Sequence, residues 1–153
     1  MVAVRKQSGF TLIEMMVAVM ILFLLATIAL PNYVQFMRNQ RVKTASFDVF
    51  STLVLARSEA VTRNTTVTVS PQSGTNDWTA GWRVMVGAET LRRQEALPSI
   101  SMTGPTAVSY NGSGRLTANL PSGIQITADG TGASVRCITV DPSGRPVTKA
   151  VSC

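Results

Sequence analysis

Among the side chains able to do chemistry, Glu14 is set apart by its surroundings: it is the one charge in the run Phe10–Leu30. A carboxylate deep in a bilayer costs about 2.5–3.5 kcal/mol on insertion scales, and less near the interface. Such a residue marks a task and needs a cation at its own depth. Were the chain cut after Gly9, the new α-amino group of Phe10, with an ordinary pKa near 8, would be that cation. In one helix, positions 10 and 14 lie one turn apart. In a bundle, Glu14 of one helix would neutralise its neighbour's amine and set the axial register.

The remaining reactive inventory is thin. Histidine is absent, which removes His-based triads, His–metal sites and imidazole acid–base mechanisms. Gly112-Ser-Gly114 and Gly130-Thr-Gly132 lack the other residues of a dinucleotide fingerprint or a P-loop, and read as hairpin turns. Asp129 and Asp141 stand beside Gly and Pro, as in Asx-turns, without the ligand ladder of a calcium loop. Asn64-Thr-Thr66 fits a glycosylation sequon, a pattern too common to weigh. No catalytic residue, metal site or cofactor is expected.

The elements that must position Glu14 follow from composition. The 153 residues suit one modest domain, and only 14% are charged, with mean hydropathy +0.22. Soluble domains carry about 25% charge, so disorder is excluded and a membrane segment is expected. Phe10–Leu30 is long enough to span hydrocarbon as a helix. Arg5 and Lys6 before it place the N-terminus in the cytoplasm under the positive-inside bias, while Arg38, Arg41 and Lys43 beyond it pull the other way. A secretory signal peptide would carry its small-residue cleavage site after the apolar core. Here the small residue, Gly9, precedes it, and Ala29-Leu-Pro-Asn32 is a poor site. A plain signal anchor fits the length and charge but leaves Glu14 unexplained.

Pro31 removes a backbone donor and clashes with the preceding turn, so a kink or local melting is expected there. Helical periodicity then resumes. Val42, Ala45, Val49, Leu53, Ala56 and Ala60 make one apolar stripe; Phe47, Phe50, Val54 and Val61 make a partial second one. One stripe must pack on the rest of the domain, leaving the other for a neighbouring subunit. From Phe10 to about Thr62 such a helix would run about 80 Å. From Thr65 the period changes to two. Strands are expected at 65–70, in 78–86, and at 91–97, 107–110, 115–120, 124–128, 135–140 and 147–151. Pro71 should stop the first of them. The fold class is α+β: one long helix packed on an antiparallel sheet. No internal repeat is expected. The pair Trp78 and Trp82 reads as core, with Gly81 letting the backbone bend between them.

The stretch Ser8-Gly-Phe-Thr-Leu-Ile-Glu14, behind a basic leader and ahead of an uninterrupted apolar run, resembles the class III prepilin motif of type IV pilins and type II secretion pseudopilins. The resemblance implies that a prepilin peptidase cleaves between Gly9 and Phe10 and methylates the Phe10 amine, and that Glu14 is the assembly carboxylate. Leu55-Ala-Arg-Ser-Glu-Ala-Val-Thr-Arg-Asn64, a following strand, and Trp78-Thr-Ala-Gly-Trp82 are similar to the GspH/FimT family of minor pilins and pseudopilins. The implied layout is a leader at 1–9, a transmembrane and filament-core helix at 10–30, its amphipathic continuation at 31–63, and a periplasmic β-rich domain at 64–153. The implied location is the inner membrane, single-pass, and then a pilus or pseudopilus, with other pilins as partners. In that oxidising compartment Cys137 and Cys153 read as one structural disulfide, worth about 3 kcal/mol in the chain-entropy model. An enzymatic role is not expected; the work is structural.

The net charge of +6 permits contact with anionic lipid or nucleic acid. Some members of the FimT branch bind DNA through a C-terminal Gly-Arg-x-Arg loop. Here Gly144 and Arg145 match, but Val147 stands at the second arginine, with Lys149 two residues further on. Arg145, Lys149 and Arg115 are the possible DNA contacts. A plain hairpin turn with solvated cations is the competing reading.

Overall fold

The structure is a computed structural model that describes residues 9–120, 122–130 and 134–153. It divides into two compact units, residues 1–36 and 37–153. Helix α1, Leu12–Arg63, starts in the first and ends in the second.

In the first unit the described apolar side chains are left open. Leu12, Ile13, Met16, Met20 and Phe23 are all largely exposed, as expected of a surface meant for lipid or for neighbours. Among the described residues no single helix is long and apolar enough to cross a membrane. Leu12–Thr27 and Asn32–Arg63 pass that test of length and composition together, as a broken pair. The backbone assignment stays helical through Pro31.

In the second unit α1 supplies one wall of the core. Val42, Ala45, Val49, Leu53, Ala56 and Ala60 are all buried, so the first stripe faces the sheets as its spacing requires. Most of the second stays out: Phe47 is 69% exposed, Val54 and Val61 are exposed as well, and Phe50 is half-buried. The helix ends in a Schellman motif. Asn64 adopts φ +48°, Asn64 N–H donates to Val61 O at 3.3 Å and Thr65 N–H to Ala60 O at 3.2 Å, satisfying carbonyls the helix leaves open.

Eight strands follow: β1 Val67–Pro71, β2 Gly81–Val86, β3 Glu89–Glu95, β4 Ile100–Thr103, β5 Val108–Tyr110, β6 Ile124–Ala128, β7 Val135–Val140 and β8 Pro146–Lys149. They form two four-stranded sheets, β3-β2-β1-β5 and β4-β6-β7-β8, in which every pairing is antiparallel. The expectation of one sheet is corrected: periodicity tells which side chains point inward and is silent on which sheet a strand joins. Three details differ as well. β4 was not expected. The strand expected at 115–120 is absent, and Leu116 makes only an isolated bridge to Tyr110. Pro71 ends β1 from inside, paired with Trp82. β5 meets β1 only over Val67–Val69, so the missing proline N–H deprives no partner.

The tryptophans are core, as expected. Their ring centroids lie 6.3 Å apart; Trp78 Nε1–H donates to Pro105 O at 2.8 Å, and Trp82 Nε1–H to Thr52 Oγ1 at 3.1 Å. The second bond ties α1 to the first sheet. Gly81 between them has φ +96° and lies so close to Gln94 O that no side chain fits.

Candidate functional site

At the N-terminal end, Gly9 and Phe10 are non-helical and exposed, with Phe10 78% accessible. Among the described residues nothing lies within 4 Å of a side chain placed at Gly9. The helix begins only at Leu12. Phe10 and Glu14 therefore do not share a helical turn in this form of the chain, and the one-turn spacing is corrected. Glu14 instead completes a cap. Thr11 Oγ1 accepts from Glu14 N–H at 3.3 Å, and Glu14 Oε2 accepts from Thr11 N–H at 3.5 Å. This is the reciprocal capping box Thr-x-x-Glu, and it sets a negative charge where the helix dipole favours one. The Thr-Leu-Ile-Glu spacing carried that signal. The cations Arg5 and Lys6 of the expected leader lie outside the described residues, and so does the Pro31 side chain from which the kink was expected.

The tail is tied down. Cys137 and Cys153 are disulfide-bonded, with Cα atoms 5.1 Å apart. Gly123 passes so close that a side chain there would meet both sulfurs, and Cys153 N–H donates to Gln125 Oε1 at 3.2 Å.

The three cations singled out in sequence separate into two places. Arg115 and Arg145 follow turns that touch one another: Leu116 N–H reaches Pro142 O at 3.4 Å. Lys149 lies at the far end of β8, opposite Cys137. All three are exposed, and among the described residues none makes an ion pair, whereas Arg63 and Arg93 are paired with glutamates. Sequence reasoning missed Arg57. Its guanidinium reaches from α1 to both turns, Nε donating to Gly114 O at 3.0 Å and Nη2 to Ser143 O at 3.2 Å. Tyr110 lies nearby, buried, its hydroxyl without a hydrogen-bond partner among the described residues. Burial pushes its pKa well above the ordinary value near 10, and the charge of Arg57 pulls the other way.

A capped, exposed apolar helix preceded by an exposed Gly–Phe pair, in one chain with a disulfide-closed β domain, is the arrangement of a pilin-like subunit. Comparison with known proteins agrees. Residues 4–30 match the prokaryotic N-terminal methylation motif, and residues 45–144 match the family described as Type II transport protein GspH. The chain belongs to that GspH family, whose members are structural subunits and not enzymes. A type IV major alpha-pilin of Moraxella bovis is 30% identical over 118 residues, covering 76% of this chain and 70% of that protein. Two crystal forms of the type IV minor pilin FimU of Pseudomonas aeruginosa share the fold at 18% and 17% identity. Their TM-scores are 0.57 and 0.60, over 70% and 74% of this chain and 91% and 92% of theirs.

Proposed function

We propose that the protein is a minor subunit of a type IV pilus, or of the related type II secretion pseudopilus. It is made as an inner-membrane precursor, cut after Gly9 by a prepilin peptidase, methylated on Phe10, and assembled through Glu14. The observation that carries this reading is the joining, in one chain, of a methylation motif at 4–30 to a GspH domain at 45–144. The exposed apolar face of Leu12–Phe23 supports it, since only lipid or neighbouring helices would cover such a surface. So does the disulfide, which suits a periplasmic domain beyond a single span. Pro31 is where a kink in that span is expected. The Moraxella bovis relative is a type IV pilin, which favours the pilus over the secretion machine. Deleting the gene tests this choice. Loss of surface pili with secretion intact is expected; loss of secretion with pili intact would reassign the subunit to the pseudopilus.

A second reading, capture of DNA, is favoured by one observation: the turns bearing Arg115 and Arg145 are in contact, and neither cation is spent on a carboxylate.

A further inference from the structure

Two short turn segments share a pattern: Asn111-Gly-Ser-Gly-Arg115 and Asp141-Pro-Ser-Gly-Arg145. They fold alike. Gly114 N–H donates to Asn111 O at 2.8 Å and Asn111 N–H to Arg115 O at 2.9 Å; Gly144 N–H donates to Asp141 O at 2.7 Å and Asp141 N–H to Arg145 O at 3.0 Å. The glycine has φ +73° in the first and +82° in the second, a left-handed position that glycine takes without steric cost. Each turn thus delivers an arginine at the same place relative to its backbone. The first follows β5 of one sheet and the second joins β7 to β8 of the other.

The turns are also locked together. A Cβ on Gly144 would collide with the Gly114 carbonyl oxygen, so the second turn seats on the first only because it carries glycine. That same oxygen accepts from Arg57 Nε, while Arg57 Nη2 takes the Ser143 carbonyl. One guanidinium on the helix therefore fixes both turns. Lysine has no planar fork with which to hold two carbonyls in this way.

We propose that the twin turns form one bipartite site for a phosphodiester backbone. Arg115 and Arg145 are its two phosphate contacts, and Arg57 is the positioning residue that holds them in register. The proposal rests on the DNA-capture reading. Arg115 supplies from the neighbouring turn the second guanidinium that Val147 does not. Both arginines are exposed and free of ion pairs among the described residues, and guanidinium forks suit phosphate oxygens. Asp141 is the one carboxylate within the two turns, and three guanidinium groups outnumber it. Lys149, at the other end of β8, is outside the site.

The test is anisotropy of a labelled duplex oligonucleotide of arbitrary sequence, titrated with the full chain in zwitterionic nanodiscs across a range of salt. Arg115→Ala and Arg145→Ala should each lower the log–log salt slope by about one unit, and Lys149→Ala should leave it unchanged. Arg57→Lys keeps the charge but not the double clasp. It should weaken binding, and in its background Arg115→Ala should no longer change the slope, a loss of coupling that a purely structural role for Arg57 would not produce. The two surface alanine variants keep the test decisive should Arg57→Lys unfold. Wild-type binding with a slope unmoved by Arg115→Ala would overturn the bipartite site while leaving DNA capture standing. No wild-type binding at low salt would overturn both.

Discussion

Thr11 and Glu14 cap the first turn of α1 reciprocally, each side chain accepting the other's backbone N–H, at 3.3 and 3.5 Å. Glu14 therefore has a partner before any neighbouring subunit arrives. Charge neutralisation in the filament would be a second use of the same carboxylate, and the two uses separate by substitution.

Glu14→Gln keeps a group able to complete the capping box and discards the charge; Glu14→Ala discards both. Both variants should insert and be cleaved, because the Gly9–Phe10 bond lies outside the helix. Both should be missing from sheared filaments if the charge drives assembly. Normal incorporation of Glu14→Gln together with exclusion of Glu14→Ala would assign the role to capping, an effect of about 1 kcal/mol.

Thr52→Val should destabilise the β domain by about 1–3 kcal/mol, because it strips the partner from the buried Trp82 indole N–H and leaves the shape nearly intact. Urea unfolding of the full chain in detergent, followed by tryptophan fluorescence, reads this directly. A midpoint equal to wild type would mean that the bond to Thr52 adds nothing.

Reduction of the Cys137–Cys153 bond, or Cys153→Ser, should cost about 3 kcal/mol and release the residues that follow β8. Limited proteolysis should then remove the tail first. Equal stability with and without reductant would contradict this.

Tyr110→Phe should be neutral or stabilising at pH 7, since the hydroxyl it removes has no partner among the described residues. The sign at high pH follows from linkage. The folded-state pKa is raised, so the contribution of this group to stability is fully present below the unfolded pKa near 10 and falls as pH rises beyond it toward the folded value. Wild type should lose stability above about pH 10 more steeply than Tyr110→Phe. Parallel pH profiles would contradict the burial of this hydroxyl.

Much of this architecture was legible because the packing periods are strict. The stripe from Val42 to Ala60 is buried along its whole length, and β6 and β7 begin and end where alternation begins and ends in sequence. β4 escaped notice although Ile100 and Met102 alternate with Ser101 and Thr103, because Pro98 on one side and Gly104-Pro105 on the other make so short a run look like loop. Arg115–Leu120 failed for the opposite reason. Its apolar residues alternate weakly, and the Asn111–Arg115 turn claims its first residue. At the site, Arg145 announced itself through a recognised motif. Arg57 could not, since on a helix its spacing marks only a partly exposed position, and its partners are backbone carbonyls whose approach depends on tertiary structure. The repeated Ser-Gly-Arg was readable in principle. Its meaning was not, because nothing in one dimension brings those turns into contact.

Processing at Gly9 is what makes this chain a filament subunit in the function proposed above. Mass analysis of its N-terminal peptide, recovered from sheared surface filaments of cells that also express a prepilin peptidase, reads that processing. The expected peptide begins at Phe10, is heavier by one methyl group, and lacks residues 1–9. A chain still beginning at Met1, or one cut near Pro31, would contradict it.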